Sequence, residues 1–352
     1  MGQFDKSVDR KQILGIKMSK RFSVVQIAND GHPLPDWVEP KLSAANVECT
    51  YCQCYNYNDL KSCVRGADML WMMSGRRGLV IEENMDLFPN VGAVLRAGSG
   101  TDNVDHDACN KRGILIVHNP EDMTEVTSDH VIAMLFAAVR RVVWHDRNVR
   151  NGLFSQKEPM SVCTLRGAEL GLVGCGRIGK AVVKKLAGFE MKIRVCDPYA
   201  DPEIMKGLGC EPVALDQLLK KSQLVVLVCP LTDETRGLIG AKQLGLMRED
   251  AVLVNCARGQ IVDETALYET LKNNRIAGAA LDVFCETPLP ADHLFLTLEN
   301  VNLTPHSAGL PLPFPDALYV NPVQSIIDLA EGRMPRWIAN HGVTPKWDLK
   351  PQ

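Results

Sequence analysis

Leu170-Gly171-Leu172-Val173-Gly174-Cys175-Gly176-Arg177-Ile178-Gly179 is the stretch whose reading decides the fold. A short apolar strand runs into glycines spaced G-x-G-x-x-G, and Ala181 to Leu186 continues with helical patterning. Each glycine meets a steric demand: a tight turn, a close backbone approach to a pyrophosphate, and close packing of helix on strand. The helix N-terminus adds a field that favours an anion. The next strand, Lys192 to Cys196, is followed by Asp197, about 20 residues beyond the turn, where a carboxylate accepts hydrogen bonds from adenosine ribose hydroxyls. This context predicts a dinucleotide site built on Gly174, Gly176, Arg177, Ile178, Gly179 and Asp197. Pro198, Tyr199, Ala200 and Asp201 offer no cation for a 2′-phosphate, so NAD is expected over NADP.

Outward from this turn the chain alternates strand and helix in both directions. Downstream, Lys192 to Cys196, Leu224 to Cys229, Ala251 to Asn255 and Ile276 to Leu281 are short and nearly continuously apolar, as in a sheet covered on both faces. Upstream, Phe22 to Ile27, Met69 to Met73, Ala93 to Ala97 and Ile114 to Val117 form a second series of βα units. Between them, Thr124 to Arg150 carries apolar residues at helical spacing and reads as one long helix joining two domains. A helix around Val323 to Ala330 leads the C-terminal stretch back to the first domain. The expected architecture is α/β with two doubly wound parallel-sheet domains, a Rossmann domain over 124–310 and a flavodoxin-like domain over 22–123 plus 311–352. Residues 1–21 read as a polar extension.

Composition narrows the function. Of 352 residues 46% are hydrophobic, enough for ordinary globular cores, and 39 basic against 42 acidic residues are interspersed. No basic field is available for nucleic acid or an anionic membrane surface. Apolar runs such as Val131 to Val139 are far shorter than a bilayer span. The first residues lack a signal-like apolar run, and Lys6 stands where a myristoylation motif wants Ser or Thr, so a cytoplasmic protein is expected. Most of the 12 cysteines lie in apolar, strand-like settings, and no disulfide is expected. The cluster Cys49, Cys52, Cys54 and Cys63 lacks a second ligand pair at finger-like spacing, so no metal is expected either.

Six segments in order resemble the D-2-hydroxyacid dehydrogenases, from Phe22 to the C-terminus. They are 96–105 (Arg-Ala-Gly-Ser-Gly-Thr-Asp-Asn-Val-Asp), the glycine turn, Cys229-Pro230-Leu231-Thr232, Val254 to Gly259, Ala280 to Phe284, and Thr304-Pro305-His306. The resemblance implies a substrate-binding first domain, an NAD domain, a cleft between them and homodimerisation. It also implies hydride transfer between NAD and C2 of a small 2-hydroxy or 2-oxo acid. Along the cofactor it places Thr127, Cys229, Pro230, Thr235, Cys256, Ala257 and Gly309, with Asp282 facing the nicotinamide amide. On the substrate it places the backbone N–H groups of Ser99 and Gly100, with Arg76 or Arg77 near its far end. Reduction of a 2-oxo acid needs a cation for the carboxylate and ketone, a proton donor, and a group that keeps the donor protonated. Arg258 and His306 fit the first two needs, and both also adjoin the cofactor.

The third role departs from the pattern. The family places a glutamate five residues after the Asp of Asp-Val-aromatic, and here Thr287 occupies that position, with Glu286 one earlier. Glu286 is the expected partner of His306, with Thr287 as the alternative. A rival reading is an NAD(H)-sensing regulatory protein similar to the C-terminal binding proteins. Arg258 and His306 favour an enzyme, whose substrate, a phosphonate included, is not named by the sequence.

Overall fold

The computed structural model describes residues 20–28, 34–54, 56–73, 78–154, 163–309 and 316–351. The first series comprises β1 (Phe22–Ala28), α1 (Val38–Ala44), β2 (Val47–Gln53), α2 (Tyr57–Cys63), β3 (Met69–Met72), β4 (Ala93–Arg96), α3 (His106–Lys111) and β5 (Leu115–Val117). These strands form one parallel sheet in the order β2-β1-β3-β4-β5, the flavodoxin-like arrangement. Two helices then lead out of it, α4 (Met123–Val139) and α5 (Val142–Arg150).

The second series runs β6 (Glu169–Val173), α6 (Arg177–Lys185), β7 (Lys192–Cys196), α7 (Pro202–Gly207), β8 (Cys210–Pro212), α8 (Leu215–Lys221) and β9 (Leu224–Leu227). It continues with α9 (Ala241–Leu244), β10 (Val252–Asn255), α10 (Glu264–Lys272), β11 (Gly278–Leu281) and β12 (Val301–Leu303), before α11 (Ala317–Ala330). Its parallel sheet has the order β12-β11-β10-β9-β6-β7-β8. Strand order reverses between β6 and β9, and an α/β sheet opens its ligand crevice at such a point. The glycine turn leaves β6 at this place.

Burial explains why the strands read as apolar runs. Val225, Leu227 and Leu253 face one core of the second sheet, while Leu170, Leu172 and Val226 face another that contains Val131, Leu135 and Val139 of α4. The first sheet is likewise sandwiched, with Val323, Ile326 and Ile327 of α11 covering one face. The chain end returns to the edge strand β5: Val117 pairs antiparallel with Ile338, and Asn340 Oδ1 accepts the Ile116 N–H at 2.7 Å. Among the described residues, no helix is long and apolar enough to cross a membrane.

Two expectations are corrected. The helix read over Thr124 to Arg150 is two helices, because Arg141 turns left-handed at φ 49° and its guanidinium donates to Ala277 O at 3.3 Å. That bond ties the break to the residue leading into β11, where α5 sets off in a new direction. Secondly, Cys52 and Cys63 form a disulfide between β2 and α2, with Cα atoms 6.0 Å apart. Alternation along β2 turns Cys52 inward, where α2 brings Cys63 within bridging range. Cys49 and Cys54 remain thiols.

Candidate active site

The dinucleotide groove follows from the turn after β6. Gly174 adopts φ +100°, and a Cβ there would stand 2.7 Å from the Cys229 backbone nitrogen, so both conformation and space exclude a side chain. A Cβ on Gly179 would meet Gly174 O at 2.4 Å, which sets how closely α6 sits on the turn. Gly176 has nothing within 4 Å of its missing Cβ, leaving open backbone at the N-terminus of α6. These residues fit a dinucleotide pyrophosphate.

Asp197 stands at the end of β7. Its carboxylate accepts the N–H groups of Cys175 (2.7 Å), Tyr199 (2.9 Å) and Ala200 (3.2 Å), which orient it and leave acceptor capacity for a ribose. The loop after β9 is stapled by Thr235, whose hydroxyl donates to Pro230 O at 2.7 Å and accepts the Thr232 N–H at 2.8 Å. Cys229, Cys256 and Ala257 are buried at the strand ends, and Thr127 is buried on α4. Ile178 packs partly buried beside the α4 core, and Gly309 lies against Met123. Arg177 is directed elsewhere: its guanidinium lies 4.4 Å from the Trp337 ring centroid, over the C-terminal tail.

Arg258 reaches across to the first sheet. Asn255 positions it, taking the Ala257 N–H on Oδ1 at 3.0 Å and donating from Nδ2 to Arg258 O at 2.9 Å. Arg258 Nε donates to Asp102 Oδ1 at 2.7 Å, and Nη2 rests on Gly100, where a Cβ would stand 1.7 Å away. Arg96, buried at the end of β4, donates to Met72 O at 3.2 Å and Gly100 O at 3.3 Å. Burial first and then Arg258 lower its pKa to about 10, against the pull of Asp102, so it stays charged near neutrality. Ser99 O accepts from His118 Nδ1 at 2.8 Å.

His306 shares this cluster. Its pKa lies below the ordinary imidazole value: the surrounding protein disfavours the cation, Arg258 and Arg96 repel it, and Asp282 and Asp102 only partly oppose them. The residue adopts φ 55°, a left-handed backbone held by its N–H donating to Asp282 O at 2.8 Å. The Asp282 side chain anchors the same loop. It accepts the Thr304 hydroxyl (2.6 Å) and the N–H groups of Ser307 (2.8 Å) and Ala308 (3.1 Å), and lies 3.2 Å from His130 Nε2. Burial raises the pKa of this fully enclosed carboxylate, but the His130, Thr304 and Ser307 hydrogen bonds outweigh it and hold the acid below its usual range.

The expected partner of His306 is not brought to it. Glu286 and Thr287 are both exposed and form no hydrogen bond or ion pair with any described residue. Chain direction explains this: after Phe284, the Cys285 N–H donates to Glu264 Oε1 at 2.7 Å, which pins the segment to α10. Arg76 and Arg77 lie outside the described residues. Sequence reasoning missed Arg96, Asp102, His118 and His130. The only available signal was position: Arg96 and Asp102 flank the Ser99-Gly100 segment it had already singled out.

A dinucleotide-type glycine turn, combined with an arginine of the same half that reaches Asp102 and Gly100 of the other and a histidine beside it, defines a nucleotide-dependent oxidoreductase. Residues 132–308 match the family described as D-isomer specific 2-hydroxyacid dehydrogenase, NAD binding domain. The chain is 40% identical over 264 residues to a glyoxylate reductase of Korarchaeum cryptofilum, covering 74% of this chain and 80% of that one. It is 34% identical to a glyoxylate reductase of Thermococcus litoralis, covering 94% of each. Among solved structures, D-lactate dehydrogenase from Aquifex aeolicus, complexed with NAD and lactic acid, superposes with a TM-score of 0.76 at 27% identity, over 88% of this chain and 96% of that one. The chain belongs to the D-isomer-specific 2-hydroxyacid dehydrogenases. It is an NAD-binding oxidoreductase of the class that acts on CH–OH groups.

Proposed function

We propose that the chain transfers a hydride between NAD(H) and C2 of a small 2-hydroxy or 2-oxo acid, glyoxylate and hydroxypyruvate being the first candidates. The observation that carries this reading is Arg258 of one half seated on Gly100 and Asp102 of the other, with His306 alongside. In the reductive direction the substrate carboxylate sits on the Arg258 guanidinium and the Ser99 and Gly100 N–H groups. Arg258 draws electron density from the ketone oxygen, and His306 delivers the proton that the developing alkoxide needs. The bound nicotinamide supplies or receives the hydride. In oxidation neutral His306 takes the hydroxyl proton. Asp282, through Thr304, Ser307 and Ala308, holds the His306 loop in place.

The same reading assigns 22–123 with the C-terminal segment to the substrate and 124–310 to the cofactor. It is supported by the two separately cored sheets and by α11 packing on the first. A homodimer contacting through α5 is part of the proposal, because that helix buries none of its residues and leaves Val142 and Val149 exposed. Sedimentation velocity checks it, and a monomer at micromolar concentration refutes it. The activity test is a panel of 2-oxo acids with NADH and of 2-hydroxy acids with NAD, read by cofactor absorbance. NADH binding without turnover of any panel member refutes the catalytic assignment.

A further inference from the structure

We propose that Glu234 is a second cofactor-discriminating carboxylate, held at the adenosine end of the groove by Tyr199, and that with Asp197 it excludes 2′-phosphorylated dinucleotides. The proposal rests on the assignment of this groove to NAD.

Three observations converge on it. The sheet order places β7 and β9 on either side of β6, so the loops leaving them flank the glycine turn. The β7 loop carries Asp197 and Tyr199, whereas the β9 loop carries Glu234. The Tyr199 phenol bridges these loops, donating to Glu234 Oε2 at 2.5 Å.

Exposed polar pairs are usually loose because ordering two side chains costs entropy. Here both backbones are already fixed. The Tyr199 N–H bonds Asp197 Oδ1, and Glu234 lies between Thr232 and Thr235, which staple their loop to Pro230. The phenol is therefore within the field of both acids. Its pKa is raised by the Glu234 hydrogen bond and charge, and further by the Asp197 charge. A ribose held by Asp197 would present its 2′ substituent between two negative charges, one beside it and one across the Tyr199 bridge. At 79% exposure, the tyrosine ring projects from the groove wall and serves as a positioning residue for Glu234.

The test measures Kd for NADH and NADPH by cofactor fluorescence with the full chain, in wild type and in an Asp197→Ala background that brings NADPH into range. One unit charge, roughly a Debye length from a doubly charged phosphate, changes affinity by about three- to ten-fold. Glu234→Gln is expected to tighten NADPH binding by that factor in either background while leaving NADH within about two-fold. Tyr199→Phe moves NADPH the same way by less, and charge-keeping Glu234→Asp stays nearer wild type than Gln. At about 1 M salt the gain in Glu234→Gln disappears, because screening has already removed the repulsion in wild type. NADPH affinity unmoved by Glu234→Gln in both backgrounds, or NADH and NADPH weakened in parallel, overturns the proposal. Failure of wild type to bind NADH overturns the NAD reading itself, which is a separate result.

Discussion

Replacing Gly100 by alanine tests the seat of Arg258 directly. The added Cβ would lie 1.7 Å from Arg258 Nη2 and 2.8 Å from Cζ. Ordinary contact between such atoms is about 3.5 Å, so the guanidinium must retreat by roughly 2 Å. That retreat also strains the Nε bond to Asp102 at 2.7 Å. Misplacing a reacting group by about 1 Å can cost 10²-fold, so kcat/KM for the best panel substrate should fall by about 10²–10³, or roughly 3–4 kcal/mol of transition-state stabilisation. The fold should tolerate the change. The clash falls on the far end of a flexible side chain, and the Gly100 backbone lies outside the left-handed region. NADH affinity, set by the groove after β6, should stay within about two-fold, since a displaced Arg258 leaves the glycine turn and Asp197 untouched. Gly98→Ala is the control, because its Cβ would meet nothing nearer than Arg96 Nη2 at 3.6 Å. Steady-state NADH oxidation and fluorescence titration supply the two readouts. A Gly100→Ala enzyme with kcat/KM within about threefold of wild type would refute Arg258 as the substrate clamp.

If His306 is the proton donor proposed above, its pKa below the ordinary imidazole value makes NADH-dependent kcat/KM decline as pH rises through a midpoint under about 6.5, while the oxidative rate gains. Glu286→Gln should leave that midpoint unmoved, and a clear downward shift would restore Glu286 as the histidine's partner. In Asp282→Asn one amide N–H₂ must face a backbone N–H, since both carboxylate oxygens accept one, and a loss of about 1.5–3 kcal/mol in urea unfolding is expected together with reduced kcat. Unchanged stability would show that the carboxylate does not anchor the His306 loop. Gly179→Ala sets a methyl 2.4 Å from Gly174 O, a backbone atom that cannot swing away, so NADH affinity should drop at least about tenfold by fluorescence titration.

The fold was legible because the strands that matter are buried on both faces and show as unbroken apolar runs: Leu224–Leu227 and Val252–Asn255 are buried along their whole length. The glycine turn was legible because its constraints are local. What escaped depends on contacts between distant parts of the chain. Nothing near Arg141 announces a helix break, since the carbonyl that holds it belongs to Ala277. Cys52 and Cys63 stand out in sequence only as half of an incomplete metal-ligand cluster, and their pairing appears only when α2 folds onto β2. The site divides the same way. Arg258 and His306, singled out from their motifs, are brought side by side, but Asp102 gains meaning only when the second sheet brings Arg258 to it. The position of Glu286 was decided by Glu264 on α10, which no spacing rule links to it.

The antiparallel pairing of Ile338 with Val117 has a consequence for biosynthesis. The segment that covers the β5 edge, and the asparagine whose side chain saturates Ile114 O and the Ile116 N–H, lie beyond every residue of the second sheet. A ribosome therefore delivers the whole cofactor half before the first half can finish its own sheet. Until then β5 carries an open row of backbone donors and acceptors, the kind of edge that recruits stray strands. The part of the protein made first is thus the last to be completed.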